Sequence, residues 1–160
     1  MESSSEVVID LAHTRDASAI LALQRAAYQS EAEKYGDLLI PPLVQTESEL
    51  ADEIRTVLVL KAVSGRRIVG SVRGSKHGTT VSIGRLIVQP DLQGRGVGTK
   101  LMAAIEASFP NTDRFELFTG HLSEDNLRLY RHLGYEEFKR QPVSDKLTLV
   151  FMQKRNLPQE

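Results

Sequence analysis

The sequence predicts an α+β fold, with one mixed and mainly antiparallel sheet of about seven strands flanked by about four helices. Three observations lead to this prediction. Apolar residues recur at helical spacing in four segments, aliphatic and β-branched runs lie between them, and tight turns join three consecutive runs. The resulting order is β, α, α, three β, α, β, α, β, β. We expect residues 1–160 to form one domain.

The first strand and helix are predicted from residues 7–36. Residues 7–11 are rich in β-branched side chains, which indicates a strand. Asp16 is a candidate N-cap for the following helix. Gly36 and the prolines at 41–42 are expected to break the chain after that helix.

The middle of the chain contains a second helix and three strands. Thr46 and Glu49 have the spacing of a capping box, which predicts a helix through about Arg55. Aliphatic runs then alternate with turn dipeptides containing glycine, which predicts an antiparallel meander. The predicted strands cover residues 57–63, 67–75 and 79–88.

The second half of the chain returns to helical spacing after Gly96. Ser123 is a candidate N-cap for the last helix, and Gly134 is its stop signal. The remaining predicted elements are helices over 97–108 and 124–133 and strands over 115–119, 135–138 and 147–152. Residues 154–160 are predicted to be a flexible tail.

Composition excludes several classes of protein. The 160 residues include no cysteine, which excludes disulfides, thiolate nucleophiles and cysteine-ligated metals. The net charge is −1 and the basic residues are dispersed, so we expect no nucleic-acid partner. No apolar run approaches the roughly 20 residues of a membrane span, and Met1–Glu6 has no features of a secretory signal. We therefore expect a cytoplasmic protein without a membrane partner. Metal binding is not expected, because His13, His77 and His132 lack ligand spacing.

A glycine-rich loop between a predicted strand and a predicted helix carries the clearest functional signal. Residues 86–98 have the sequence LIVQPDLQGRGVG. Glycine has no Cβ and tolerates positive φ, so the loop can turn several backbone N–H groups toward one point. Together with the free N–H groups of a helix N-terminus, these donors predict a pyrophosphate site.

Two familiar nucleotide-binding motifs do not fit this loop. A Walker A loop requires Gly-Lys followed by Ser or Thr, whereas the chain has Gly98-Thr99-Lys100. A Rossmann fingerprint requires Gly-x-Gly-x-x-Gly in a parallel βαβ unit, whereas these glycines are evenly spaced and follow hairpins. A purely structural turn is the remaining alternative, although three glycines at a helix entrance cost backbone entropy without improving the packing.

The loop at residues 93–98, QGRGVG, resembles the Gln/Arg-x-x-Gly-x-Gly/Ala loop of the GNAT superfamily of acetyl-CoA-dependent N-acetyltransferases. Residues 86–90 resemble that family's preceding strand and its exit proline. Residues 126–135, NLRLYRHLGY, resemble its second motif, an Asn followed by a Tyr and then Leu-Gly-Tyr or Leu-Gly-Phe. The motifs lie in the family's order, and the predicted elements match a GNAT-like fold from end to end.

The resemblance implies a role for each part of these motifs. The strand at 86–88 would offer backbone groups to the pantetheine arm of acetyl-CoA, the acyl-donor substrate, and the loop would bind its pyrophosphate. Asn126 would hydrogen-bond the cofactor, and Tyr130 would lie near its sulfur. The implied cofactor-binding residues are Leu86, Ile87, Val88, Gln93, Gly94, Arg95, Gly96, Val97, Gly98, Thr99, Asn126 and Tyr130.

The implied reaction needs a neutral amine and a protonated leaving thiolate. An alkyl ammonium has a pKa near ~10.4, so it must lose a proton before it attacks. Tyr130 is the candidate acid for the thiolate. Many relatives carry a glutamate on the strand before the loop, but residues 82–85 contain no carboxylate. His121 is therefore the candidate base, because an ordinary imidazole titrates near ~6.5. Glu116 and a water relay are further candidates.

Each of these side chains also has a structural alternative. Tyr130 can be a core aromatic, Asn126 a residue of the first helical turn and His121 a solvated loop side chain. The implied reaction does not require a covalent enzyme nucleophile, because the acyl group can pass directly between bound substrates.

We expect an N-acyltransferase that moves an acetyl group from acetyl-CoA to a primary amine of a small molecule or peptide. The alternative is an acetyl-CoA-binding regulatory module without turnover. Residues 31–53 contain seven acidic residues and one basic residue, Lys34, in a stretch that the resemblance places beside the acceptor groove. This imbalance predicts a cationic acceptor, unless the acids only solvate two helices. The resemblance also allows a homodimer.

Overall fold

The computed structural model describes residues 6–156, which contain one seven-stranded sheet. The strands are β1 (Val8–Leu11), β2 (Leu58–Ser64), β3 (Arg67–His77), β4 (Thr80–Val88), β5 (Arg114–Gly120), β6 (Glu136–Pro142) and β7 (Thr148–Arg155). Their order across the sheet is β1-β2-β3-β4-β5-β7-β6. Only β4 and β5 pair in parallel, and the other neighbours are antiparallel. The predicted α+β fold with a mainly antiparallel sheet is confirmed.

In the described part of the chain, five α-helices cover the two faces of the sheet. They are α1 (Ala17–Tyr35), α2 (Pro41–Val44), α3 (Glu47–Thr56), α4 (Val97–Ala107) and α5 (Glu124–His132). Helices α1 and α3 bury one apolar cluster against the sheet, and α4 and α5 bury a second, larger cluster. None of the helices in residues 6–156 has the length and apolar character of a membrane span.

The prolines at 41–42 do not simply break the chain, as the sequence suggested. They open α2, because proline has a fixed helical φ and needs no N–H partner in a first turn. The capping box ahead of α3 is confirmed in both directions. The Glu49 N–H donates to Thr46 Oγ1 at 3.1 Å, and the Thr46 N–H donates to Glu49 Oε1 at 2.9 Å.

The two other predicted caps have the right position, but the prediction that their side chains cap the helices is wrong. Asp16 and Ser123 stand at the N-cap positions of α1 and α5, but neither side chain makes a capping bond. The Asp16 carboxylate instead pairs with Lys61 Nζ at 2.8 Å. The prediction of a tail from 154 is also wrong at its start, because β7 continues through Arg155. Residues 157–160 and 1–5 lie outside the described part of the chain.

The sheet opens between β4 and β5. These strands pair only through residues 80–82 of β4 and 114–116 of β5. On the other side of β4, Arg73 pairs with Gly84 and Ser71 pairs with Ile87, so two β4 residues face one residue of β3. This extra residue is a β-bulge, which bends a strand and re-aims its side chains. The far ends of β4 and β5 therefore diverge.

Candidate functional site

A cavity of about 700 Å³ opens where β4 and β5 diverge. Its walls come from α1, the end of β4, the glycine-rich loop and the first turns of α5. The lining residues used below are Tyr28, Glu31, Leu86, Ile87, Val88, Gln93, Gly94, Gly96, Gly98, Thr99, Ser123 and Asn126. This volume falls within the range typical of small-molecule and cofactor sites.

The end of β4 presents to this cavity a backbone edge that no neighbouring strand pairs with. The Gln93 side-chain amide donates to the Val88 carbonyl at 3.2 Å from the side away from β3. Backbone groups of one residue share a side of a strand, so the Val88 N–H also faces the cavity. Leu86 lies in the bulge, where regular alternation is interrupted, and it also lines the cavity. Ile87 pairs with Ser71 of β3 and is 3% exposed. Its side chain, rather than its backbone, therefore contributes to the wall.

The glycine-rich loop turns its backbone outward at the start of α4. Gly94 has φ 81° and Gly96 has φ 87°, values that favour glycine, and a Cβ at either position would meet open space. The first helical bond is donated by the Lys100 N–H to the Gly96 carbonyl at 3.0 Å. The N–H groups of residues 97–99 therefore have no partner within the helix. The positive end of the helix dipole adds to these donors, so the loop fits a phosphate group.

The predicted loop residues do not all face the cavity. Gln93, Gly94, Gly96, Gly98 and Thr99 line it. Val97 is 5% exposed, and its side chain belongs to the larger apolar cluster, so it can offer only backbone. Arg95 is exposed and is not among the lining residues.

Helix α5 carries Asn126 on the cavity wall, whereas Tyr130 is not among the lining residues and belongs to the larger apolar cluster. Asn126 lines the cavity, and its Nδ2 donates to Thr119 Oγ1 at 3.4 Å. Tyr130 lies one helical turn later, is 6% exposed, and has its ring centroid 6.0 Å from that of Tyr135. Burial raises the pKa of the Tyr130 phenol well above its ordinary value. The phenol therefore stays protonated near neutral pH, in the state required of a proton donor.

His121 is not among the residues that line the main cavity. It borders a smaller cavity of about 350 Å³ together with Glu124 and Arg131. The Thr148 N–H donates to His121 Nδ1 at 3.0 Å. Nδ1 accepts this bond in one tautomer of the neutral ring, and in the other it donates to the Thr148 carbonyl, which lies 3.3 Å away. Only that second tautomer leaves on Nε2 the lone pair that the predicted role as base requires. The other candidate, Glu116, is held by Arg114.

A side-chain network anchors α1 to the loop before α5. The Ser123 hydroxyl, predicted as a cap, donates to the carboxylate of Glu31 and lies 2.9 Å from the hydroxyl of Tyr35. The Leu122 N–H donates to the Tyr35 hydroxyl at 2.9 Å. Tyr28, Glu31 and Tyr35 have the i, i+3, i+7 spacing of one helix face. That spacing is the signal by which sequence reasoning could have grouped them.

The acidic residues between 31 and 53 do not line the cavity as a group. Glu49 completes the capping box, Asp37 accepts a backbone N–H, and Asp52 and Glu53 pair with arginines. Of the seven, only Glu31 lines the cavity. Within residues 6–156 no three His, Asp or Glu side chains are grouped so that they could hold a metal ion.

Comparison with known proteins identifies a family. Residues 28–156 match a family described as an acetyltransferase (GNAT) domain. No curated protein matches the chain in sequence. The match covers the cavity-forming parts of α1, β4, the glycine-rich loop and α5.

Solved structures share the fold at low sequence identity. The ribosomal-protein-S18-alanine N-acetyltransferase from Escherichia coli aligns with a TM-score of 0.78 and 15% identity over 97% of each chain. The PaiA N-acetyltransferase from Thermoplasma acidophilum, in complex with coenzyme A, gives 0.76 and 14% over 94% of this chain and 99% of its own. YncA, a putative acetyltransferase from Salmonella typhimurium with acetyl-CoA, gives 0.76 and 18% over 98% and 97%.

Proposed function

The chain belongs to the GNAT acetyltransferase family, and on that premise we propose that it transfers an acetyl group from acetyl-CoA directly to a primary amine of a small molecule or peptide. One observation carries the proposal. The free N–H groups at the start of α4 and the open backbone edge of β4 face the same cavity, as an elongated donor with a pyrophosphate requires.

The cofactor-binding residues follow from this placement. The loop at 93–98, with the N–H groups of residues 97–99, would hold the pyrophosphate. Val88 and Leu86 would pair through their backbone with the amide groups of the pantetheine arm, as an added β-strand does. The acyl end would then lie toward the bulge in β4, with Asn126 on the cavity wall and Tyr130 buried one helical turn beyond it.

The reaction is a direct transfer between two bound substrates. The amine nitrogen forms a bond to the acetyl carbon, the carbon–sulfur bond breaks, and the sulfur takes a proton from Tyr130. The amine nitrogen loses two protons to the base: one is released to solvent, and the other restores the proton that Tyr130 gave up. Holding both substrates in one cavity supplies much of the rate through proximity.

Release of free CoA tests this function. The purified chain is incubated with acetyl-CoA and a panel of primary amines, and free thiol is measured continuously. We expect amine-dependent turnover, with the acetylated amine confirmed by mass. Tight binding of acetyl-CoA without any amine-dependent release across the panel would instead favour the regulatory module without turnover.

His121 remains the predicted base, and its pH dependence tests that role. An imidazole acts as a base only in its neutral form, so kcat/KM of the wild type should show a loss on the acidic side that depends on His121. The His121→Ala variant should lose that acidic limb and bind acetyl-CoA normally. Thr148→Ala is the matched control, because its backbone N–H stays in place. Identical pH profiles in wild type and His121→Ala would remove His121 from the mechanism.

A further inference from the structure

Two arginines lie on the paired strands β3 and β4, next to α1. Arg73 of β3 pairs in register with Gly84, the residue that precedes Arg85 in β4. Arg73 is 5% exposed, and its Nη1 donates to the Glu53 carboxylate at 2.7 Å. Its Nη2 donates to the side-chain oxygens of two glutamines, at positions 24 and 45. Among residues 6–156, Glu53 pairs with Arg73, and no carboxylate pairs with Arg85.

The guanidinium of Arg85 has an unsatisfied donor. Its Nη1 is buried and has no hydrogen-bond partner among residues 6–156, and the same holds for Nε of Arg73. Arg85 is half-buried as a whole. Buried polar atoms normally find partners, so its unpartnered Nη1 is a candidate contact for an anion. Glu31 does not fill this role, because its carboxylate is engaged by Ser123 and by Lys34 at 3.1 Å.

The backbone at Arg85 is strained in a way that re-aims its side chain. Arg85 has φ 52° and is the one non-glycine residue with a positive φ among those described. It lies in the bulge of β4, where two residues face one of β3. Strained residues cluster at ligand-binding and catalytic sites, because elsewhere the strain has no compensation. Bulges beside active sites redirect side chains in the same way.

The arginine pair lies directly behind the cavity wall. Tyr28 lines the cavity, and both Arg73 and Arg85 lie close enough to its hydroxyl to oppose the rise in the Tyr28 pKa that burial causes. Leu86, the next residue after Arg85, also lines the cavity. The glycine-rich loop is at the opposite end of the open β4 edge. The pair therefore lies at the acyl end of the cavity rather than at the pyrophosphate end.

We propose that Arg85, supported by Arg73, binds an anionic group on the acceptor, so that the substrate carries both a primary amine and a carboxylate or phosphate. This inference rests on the proposed acetyl transfer. It replaces a purely cationic acceptor, predicted from the acidic stretch, with a zwitterionic one. A guanidinium recognises a carboxylate or a phosphate through paired N–H donors, which fixes the orientation of the bound molecule. The amine is then directed along the cavity toward the thioester.

Matched acceptors test the proposal. The panel contains the proteinogenic L-amino acids, their C-terminal amides and their decarboxylated amines, with O-phosphoethanolamine beside ethanolamine as the phosphate arm. CoA release gives kcat/KM for each acceptor. We expect the kcat/KM of the best carboxylate or phosphate acceptor to exceed that of its analogue without the anion by at least about 10²-fold, because the analogue leaves the buried donors unpaired. A preference for amino acids over their amides identifies a carboxylate site, and a preference for O-phosphoethanolamine over ethanolamine identifies a phosphate site. Amides and decarboxylated amines that perform as well as the acids would overturn the proposal while the acetyl transfer stands.

Variants of Arg85 assign the preference to this residue. Arg85→Gln should reduce the preference to within about threefold, since it removes the charge and keeps a polar side chain. Arg85→Lys should restore part of it. The matched control is Arg55→Gln, because Arg55 is exposed on α3 and pairs only with Asp52 on its own helix. The KM for acetyl-CoA should not change in any of them. A preference retained in Arg85→Gln would assign the anion to another site and overturn the proposal.

A binding measurement decides the question without turnover. Thermal unfolding is followed in saturating CoA, which occupies the glycine-rich loop, with added malonate or inorganic phosphate at constant ionic strength. We expect these anions to raise the Tm of the wild type and of Arg55→Gln, and to have no effect on Arg85→Gln. Equal shifts in wild type and Arg85→Gln would contradict the proposal. A shift that depends on Arg85 in a protein that never releases CoA would retain the anion site and reject the transferase function.

Discussion

Replacing Gly96 by glutamate is expected to weaken acetyl-CoA binding by more than about 10²-fold while the protein stays folded. Gly96 has φ 87° at the N-cap of α4, and a Cβ there would project into open space on the cavity side. The added side chain would occupy the space that a pyrophosphate must enter, and its carboxylate would oppose the phosphate charge. Calorimetric titration with acetyl-CoA measures the loss, and circular dichroism checks the fold.

A second glycine provides the control for backbone strain. Gly65, in the turn between β2 and β3, has φ 63°, and a Cβ there also meets open space. Gly65→Glu therefore introduces a comparable strain and charge away from the cavity. It should lower the Tm without changing the affinity for acetyl-CoA. Unchanged affinity in a folded Gly96→Glu protein would show that the cofactor does not bind at this loop.

The Tyr130→Phe variant is expected to lose about 10²- to 10⁴-fold in kcat, the usual contribution of a positioned acid. The phenylalanine ring keeps the packing against Tyr135, so binding of acetyl-CoA and thermal stability should change little. Burial raises the pKa of Tyr130, and an acid fails only when pH rises through its pKa. The wild type should therefore show no alkaline loss from this group below about pH 10, the ordinary tyrosine value.

Tyr135→Phe is the matched control for that substitution. The Tyr135 hydroxyl donates to Glu106 Oε2 at 2.7 Å, away from the cavity-lining residues. Loss of this hydrogen bond should lower the free energy of unfolding by about 1 kcal/mol, a typical hydrogen-bond contribution. It should leave kcat near the wild-type value. Full kcat in Tyr130→Phe across the pH range would reduce Tyr130 to a core aromatic.

The parts of the fold that the sequence predicted depend on local signals. The capping box at Thr46 and Glu49, the left-handed Gly36 at the end of α1 and the turn glycines at 65 and 78 act through neighbouring residues. Their geometry is therefore contained in a short stretch of chain. The glycine-rich loop belongs to the same class, since its backbone directions follow from glycine at 94 and 96.

The features that escaped prediction depend on residues far apart in the chain. Ser123 is a good cap by sequence, but Glu31 and Tyr35, about ninety residues earlier, take its hydroxyl instead. His121 has an ordinary sequence context, and only the approach of Thr148 across the sheet engages its Nδ1. The bulge that gives Arg85 its positive φ arises from the register between β3 and β4, which no local pattern encodes.

The cavity draws its walls from three separated stretches of chain, near Tyr28, Val88 and Asn126. An unfolded chain cannot hold these stretches together, so it cannot bind the donor. Occupancy of the cavity is then thermodynamically linked to folding of the whole domain. By mass action, acetyl-CoA at 100 times its dissociation constant should add about 2.7 kcal/mol to the free energy of unfolding. In a cell rich in this metabolite, the enzyme's resistance to unfolding and proteolysis would follow the supply of its own substrate.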